Sequence, residues 1–338
     1  MILVFGATGF TGEMVVRQLR ALQLPVTAAA RSADKLAALA AEHDVTAVVA
    51  DVAEPSALAD AACAADVLVT TVGPYSRWGH VAADAALSAG IPYIDATGEP
   101  GWLRQLFRGE YAQRALDAGV AMIPAIGYDY VPGNFAGSLA LARAGSEAVQ
   151  IDVGYFLAGR NPRTTESFSK GTLDSLKESA KATQFAFRGG ELVDVPKADR
   201  KIAFDFDGAV KTAVSIGSTE HFALPRLAPQ LREVNAGLGW FGEDAGAAED
   251  PGQAGPDDDR RGRARTRAVA IARDASGSEL ARVDIDGPNP YDLTGLLMAH
   301  YAQVALAGEL AGTGVLDPIE AVGLDRFKAI CAASELTA

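Results

Sequence analysis

Three glycines spaced three apart, Gly6, Gly9 and Gly12, follow directly on the apolar run Ile2-Leu3-Val4-Phe5. That spacing suits a pyrophosphate. A phosphate-binding turn needs glycine where the chain bends sharply, where backbone approaches the phosphates, and where the next helix packs on the strand. The residues from Glu13 to Leu19 carry apolar positions at helical spacing, so the N–H groups of a helix start face the phosphates. Thr8, Phe10 and Thr11 sit among the glycines and complete the candidate dinucleotide-binding set. The alternative is an ordinary strand–turn–helix with no ligand.

The end of the next apolar run, Val26 to Ala30, addresses which dinucleotide is held. About 20 residues past the glycines, an NAD site places an acid against the ribose 2′-hydroxyl. Here that place holds Arg31-Ser32, with Lys35 one helical turn on. A guanidinium fork takes a 2′-phosphate in bidentate fashion, so NADP(H) is expected over NAD(H). The competing reading makes Arg31 and Lys35 solvated residues of a helix entry, with Asp34 as their local partner.

These residues need a frame, and strands and helices alternate as a doubly wound sheet requires. Thr46–Asp51, Asp66–Val72, Pro92–Asp95 and Ala121–Ala125 read as further strands, with alanine-rich helices near 55–64, 79–89 and 102–118. In such sheets ligands lie beyond the carboxyl ends of the strands. That singles out Asp51, Val72-Gly73-Pro74-Tyr75, Asp95 to Glu99, and Gly127-Tyr128-Asp129. Asp51, Val72, Gly73 and Pro74 join the cofactor-binding candidates, because Gly73-Pro74 lets the chain pass close to a nicotinamide. Tyr75, Tyr128 and Asp129 are the catalytic candidates. Tyr75 is either a proton donor or an aromatic lid; Asp129 either orients substrate and water or caps a helix starting near Pro132. Asp95 and Glu99 face similar alternatives. Lys170 either binds an acidic substrate or a phosphopantetheine arm, or is solvated at a helix start.

After about residue 145 the pattern becomes strand-rich. Val149–Phe156, Ile202–Phe206 and Val210–Ile216 read as strands, Arg267–Asp274 and Glu279–Asp286 as a hairpin, and Thr172–Gln184 as a helix. Residues 243–263 are rich in Gly, Pro and Asp and then in arginine, which reads as a mobile, self-neutralising loop. The segment from Tyr291 to Gly308 has helical apolar spacing and is expected to pack back on the first domain. The fold class is therefore α/β: a Rossmann-type doubly wound parallel sheet, an inserted α+β second domain and a returning C-terminal helix. The expected division is 1–128 plus 288–338 for the nucleotide-binding domain and 129–287 for a substrate and dimerisation domain.

Composition narrows the class. The chain has 338 residues, 49% of them apolar, yet no unbroken run approaches the ~20 a membrane span needs. Met1 leads at once into the first strand without a basic segment, so no secretory leader is expected. The two cysteines, Cys63 and Cys331, need not pair, which points to a cytoplasmic protein. A net charge of −13 argues against nucleic acid as a partner. Four scattered histidines give no metal-ligand spacing, and no metal is expected.

The glycine turn, Val72-Gly73-Pro74-Tyr75, Tyr93 to Glu99, Gly127-Tyr128-Asp129-Tyr130-Val131-Pro132 and Ser169-Lys170-Gly171-Thr172 come in an order that resembles the saccharopine dehydrogenase-like oxidoreductases. Within that group the chain is most similar to the trans-acting enoyl reductase branch, which also ends in a hairpin, a long helix and a segment like Gly314-Val315-Leu316-Asp317-Pro318. Tyr130 stands where the family often has serine, and Lys170 where it often has glycine. The resemblance implies NADP(H) in a cleft between two domains and an NADPH-dependent reductase acting on a conjugated C=C bond of a small-molecule or carrier-bound acyl substrate. Reduction of a C=N bond is the saccharopine-like alternative, and a non-catalytic NADP(H) sensor is the other. No tyrosine has a lysine four residues later, and no Gly-x-Ser-x-Gly elbow is present, so neither a short-chain reductase mechanism nor a covalent nucleophile is expected. A homodimer through the second domain is a further expectation.

Overall fold

The computed structural model describes residues 1–159, 169–239 and 264–338. The first part alternates strand and helix: β1 (Ile2–Phe5), α1 (Phe10–Ala21), β2 (Val26–Ala30), α2 (Ala33–His43), β3 (Thr46–Val49), α3 (Pro55–Cys63), β4 (Val67–Thr70), α4 (Tyr75–Ala89), β5 (Tyr93–Asp95), α5 (Pro100–Arg108), α6 (Glu110–Ala118), β6 (Ala121–Ile123) and α7 (Val131–Ala144). Buried on both faces, β1 and β4 need continuous apolar sequence, which Ile2-Leu3-Val4-Phe5 and Val67-Leu68-Val69 supply. Proline occupies the first helical position of α3 and α5, where its missing N–H costs nothing.

The second part is dominated by strands: β7 (Gln150–Gly159), α8 (Lys170–Ser179), β8 (Gln184–Arg188), β9 (Glu191–Val195), β10 (Lys201–Phe206), β11 (Ala209–Ser215), α9 (Glu220–Leu227), β12 (Glu233–Leu238), β13 (Ala264–Arg273) and β14 (Glu279–Gly287). The chain ends with α10 (Pro290–Leu306), β15 (Gly314–Val315) and α11 (Leu324–Ala333).

Among the described residues two sheets result. One is seven-stranded and parallel, in the order β15-β6-β5-β4-β1-β2-β3, so the strand order reverses beside β1 as in a Rossmann sheet. The other is mixed, ordered β10-β11-β12-β7-β13-β14, with the β8–β9 hairpin attached to β12. Within it β12 runs parallel to β7, while β13 is antiparallel to both β7 and β14. Helix α7 packs on β7, β13 and β14, and one apolar core runs from β1 through α7 into the second sheet. Helix α10 returns to the first sheet as the sequence indicates, packing on α1 with Gly295 tight against Met14.

The structure differs from the sequence expectation in four places. The helix expected near 102–118 is two helices, because Gly109 ends α5 and begins α6; a Cβ there would meet Gln105 O at 2.4 Å. Helix α4 begins at Tyr75 rather than near residue 79, since its first N–H groups are capped by Glu99, a residue distant in sequence. The helix expected to reach Gln184 stops at Ser179, because Gln184 to Arg188 pair with β9 and β12. The strands β8, β9, β12 and β15 and helix α9 were not anticipated. The loop expected at 243–263 lies outside the described residues. Of its flanking arginines, Arg267 lies in β13 and pairs with Asp286 across the hairpin at 2.9 Å.

Candidate functional site

The glycine loop has the geometry its spacing demands. Gly6 adopts φ +91, and a Cβ there would press on Thr71 Oγ1 and Val72 Cγ2 at 2.8 Å. At Gly12 a Cβ would stand 2.1 Å from Gly6 O, so α1 rests directly on the turn. Gly9 N donates to Gly6 O (2.9 Å), and Thr71 Oγ1 donates to the same oxygen (3.3 Å). Gly9 is exposed and is the N-cap of α1 with no side-chain cap, while Thr8, Phe10 and Thr11 are half-buried around it. A helix N-terminus without a capping side chain, behind a loop kept free of Cβ atoms, fits a pyrophosphate.

At the end of β2, Arg31 and Lys35 are exposed and make no hydrogen bond or ion pair with other described residues; Asp34 is not their partner. Ser32 is the N-cap of α2, and its side chain makes no capping bond. Asp51, at the end of β3, accepts from Ala53 N at 2.9 Å and is half-buried. All four lie on the carboxyl edge of the parallel sheet, next to the glycine loop.

Further along that edge, a cavity of about 170 Å³ opens between the two sheets. It brings together Thr11, Gly73, Tyr75, Tyr128 and Asp129, and residues of α8, the start of α10, Leu157 and Leu238 of the second sheet and Ile216 just past β11 also line it. Val72 and Pro74 flank Gly73 on the β4–α4 turn. Pro74 is the N-cap of α4 and follows a cis peptide bond.

Tyr75 is neither a free acid nor a free lid. Its hydroxyl donates to Thr70 O (3.2 Å), its N–H donates to Glu99 Oε1 (2.7 Å), and burial together with nearby Asp95 pushes the phenol well above its usual value. Glu99 also accepts from Ser76 N (2.8 Å) and Ser175 Oγ (2.7 Å), so one carboxylate caps α4 and ties α8 to it. Asp95 is fully buried and accepts from Tyr93 Oη, Thr97 N, Trp102 Nε1 and Ala125 N; four donors explain its place as a brace between β5 and β6. Tyr128 is buried, with its N–H on Thr294 Oγ1 (3.1 Å) and its ring edge-on to Tyr155.

Asp129 does not cap the helix that follows it. The N-cap position of α7 is Tyr130, which has no side-chain capping bond, and the Asp129 carboxylate turns into the cavity instead. Its Oδ1 has no hydrogen-bond partner, and a Cβ at Gly98 would meet its Oδ2 at 2.4 Å. Burial without a donor disfavours the anion, and the carboxyl is pushed up to about 7. Lys170 is exposed at the first position of α8, consistent with its solvated reading.

Two functional-looking residues carry little sequence signal. Tyr291, in the first turn of α10, accepts from Ser169 N (2.7 Å), shares a hydrogen bond with Thr172 Oγ1 (3.0 Å) and meets Phe10 edge to face at 4.9 Å, so it joins the glycine loop to α8. The Asn289-Pro290 helix start could have marked its position. Glu220 is a fully buried carboxylate on α9, and nothing in its neighbourhood in sequence marks it. Among the described residues no group of three His, Cys, Asp or Glu could hold a metal ion, and no helix is long and apolar enough to cross a membrane.

Comparison with known proteins agrees with this geometry. Residues 6–102 match the NAD(P)H-binding family model, so the first sheet is similar to domains that hold a nicotinamide dinucleotide. The human saccharopine dehydrogenase-like oxidoreductase is 34% identical over 150 residues, covering 39% of this chain and 35% of that protein. The trans-acting enoyl reductase of Mycobacterium ulcerans is 37% identical over 140 residues, covering 39% of this chain and 33% of that protein. The matched region thus spans about a third of each relative's length. Saccharopine dehydrogenase (L-Glu forming) of Saccharomyces cerevisiae shares the fold with a TM-score of 0.63 at 16% identity, over 98% of this chain and 96% of that one. Sequence likeness to these relatives thus covers 39% of the chain, while the fold shared with the yeast enzyme covers 98% of it.

Proposed function

We propose that this chain is an NADPH-dependent reductase acting on a conjugated C=C bond of a small-molecule or carrier-bound acyl substrate. Asp129 carries the reading: a buried carboxyl with a partnerless oxygen, protonated up to about pH 7, in the same cavity as the glycine-loop residue Thr11 and the Gly73 turn. When bound, the cofactor supplies the hydride. Asp129 Oδ1 holds the proton for the substrate carbon that gains electron density, a role that needs an acid with a value near the working pH. Tyr75 and Tyr128 shape the walls beside it, with their hydroxyls committed to the main-chain oxygens of Thr70 and Phe156 and their N–H groups to the side chains of Glu99 and Thr294. Arg31, Ser32 and Lys35 support NADP(H), because three side-chain donors with no hydrogen bond to other described residues follow the end of β2, where a ribose 2′-phosphate is met.

The cavity lining supports a neutral acyl group over a charged amino-acid imine. Among the described residues it includes no Lys, Arg or His, and a substrate carboxylate there would face Asp129 without a counter-ion. A reducing, cytoplasmic setting suits its free thiols, Cys63 and Cys331. The test is NADPH consumption by the purified chain with matched enoyl thioesters and imines. Turnover of the enoyl set supports the proposal, and turnover of imines alone reassigns the chain to C=N reduction. Tight NADPH binding with no consumption makes it a nucleotide sensor.

A further inference from the structure

The first turn of α10 touches three parts of the site at once. Asn289 Oδ1 accepts from the N–H groups of Tyr291 (3.0 Å) and Asp292 (3.1 Å), so the backbone of Tyr291 is fixed at a capped helix start. The Tyr291 ring stands edge-on to Phe10, the first residue of α1, with centroids 4.9 Å apart. Its hydroxyl oxygen accepts from Ser169 N (2.7 Å) and shares a hydrogen bond with Thr172 Oγ1 (3.0 Å). One turn further on, Thr294 Oγ1 accepts from the N–H of Tyr128 (3.1 Å), the residue before Asp129.

Ser169 is the N-cap of α8, and its Oγ accepts from Thr172 N (3.2 Å). The phenol therefore grips both the cap residue and the first turn that it caps. Apolar burial does little to hold the rest of α8, since none of its 10 residues is buried. A second polar tie comes from Ser175 Oγ, which donates to Glu99 Oε1 (2.7 Å) and stands 3.1 Å from where a Cβ at Gly73 would lie. A helix held by polar ties, with no buried side chain, belongs to the low-stability end of a fold, where docked and undocked forms exchange. It is also part of the cavity: Gly171, Thr172, Ser175, Leu176 and Ser179 line the space that Asp129 and Tyr291 line.

Phe10 follows Gly9 directly, so a pyrophosphate seated on the glycine loop meets the turn that carries it. Fixing Phe10 fixes the Tyr291 ring against its face or edge, and a fixed phenol holds Ser169 and Thr172 in one place. Order supplied at the start of α1 is passed to the start of α8 through one side chain that touches both. We propose that Tyr291 is a positioning residue that couples occupancy of the glycine loop to the docking of α8, so that the wall of the acyl cavity is completed once the nucleotide is in place. This rests on the reading of the glycine loop as the NADPH site. The two sites are then linked through a two-state element, and the acyl substrate binds best after the nucleotide.

The experiment is amide hydrogen exchange of the α8 peptides in the full chain, with and without nucleotide at a saturation set by calorimetry for each protein. Two nucleotides are compared: NADPH, and 2′-phospho-ADP-ribose, which fills the loop but has no nicotinamide to touch α8. In the wild type both slow α8 exchange by about fivefold or more. In Tyr291→Phe, which keeps the ring on Phe10 and removes the hydroxyl, the slowing by 2′-phospho-ADP-ribose is lost. In Ser175→Ala, which removes only the tie to Glu99, exchange is faster throughout and the slowing persists. The proposal is overturned by wild-type exchange that 2′-phospho-ADP-ribose leaves unchanged, by equal slowing in Tyr291→Phe, or by loss of the slowing in Ser175→Ala as well. If Tyr291→Phe does not fold, Phe10→Leu replaces it, and slowing retained there overturns the proposal. No acyl substrate is needed. Slowed exchange without turnover of any enoyl compound rejects the reductase reading alone, and turnover with unaltered exchange rejects the coupling alone.

Discussion

Gly12 stands against the carbonyl of Gly6 so closely that a methyl group at position 12 would lie 2.1 Å from that oxygen. The contact fixes the height of α1 above the turn, and with it the N–H groups offered to a phosphate. Gly12→Ala is expected to lift the helix, lower NADPH affinity at least tenfold and cost about 1–3 kcal/mol of stability. Calorimetry with NADPH and urea denaturation check both parts.

Arg31 is exposed, and its guanidinium forms no bond with other described residues, so its removal should cost the fold almost nothing. Arg31→Ala is expected to weaken NADPH binding by roughly 1.5–3 kcal/mol, the range for hydrogen bonds to charged groups, and to leave NADH binding unchanged. Paired isotherms with the two nucleotides measure it; equal losses contradict the preference for NADP(H).

The raised value of Asp129 makes a signed statement about stability. Between the usual unfolded carboxyl value near ~3.9 and about 7, the native state binds a proton that the unfolded state has released. The contribution is fully present below the unfolded value and is lost as pH rises through about 7. Asp129→Asn should therefore be more stable than wild type at pH ~8 and should lose that slope, by at most about 1.4 kcal/mol per unit. Denaturation midpoints across pH give the answer.

Glu99 holds the N-terminus of α4 and the Ser175 hydroxyl of α8 together. Glu99→Ala leaves the Tyr75 and Ser76 N–H groups without their acceptor and should cost about 1–3 kcal/mol. Ser175→Ala removes only the tie to α8. Its expected signature is a severalfold rise in KM for the acyl substrate with little change in NADPH affinity, measured by steady-state kinetics beside calorimetry.

Much of the fold was legible because its signals are local. The apolar run before Gly6, the glycine spacing and the alternation of β1 to β6 with helices are all written in short stretches, and the tail helix shows its period plainly. What was missed depends on contacts between distant residues. Glu99 starts α4 from 24 residues away, and the strands β8, β9 and β12 acquire their identity only by pairing with one another and with β7. At the site, Asp129 looked like a helix cap because acids commonly precede helices, yet Tyr130 occupies the cap position and frees the carboxylate for the cavity. Tyr291 and Glu220 lie 162 and 91 residues beyond Asp129, and no short motif announces either.

The most direct measurement compares wild type with Asp129→Asn for NADPH affinity and for enoyl-dependent NADPH oxidation in the same preparation. The account predicts equal nucleotide binding and a loss of oxidation of about 10²–10⁴-fold in the variant, the range for removal of a general acid. Equal oxidation rates in the two proteins would contradict it.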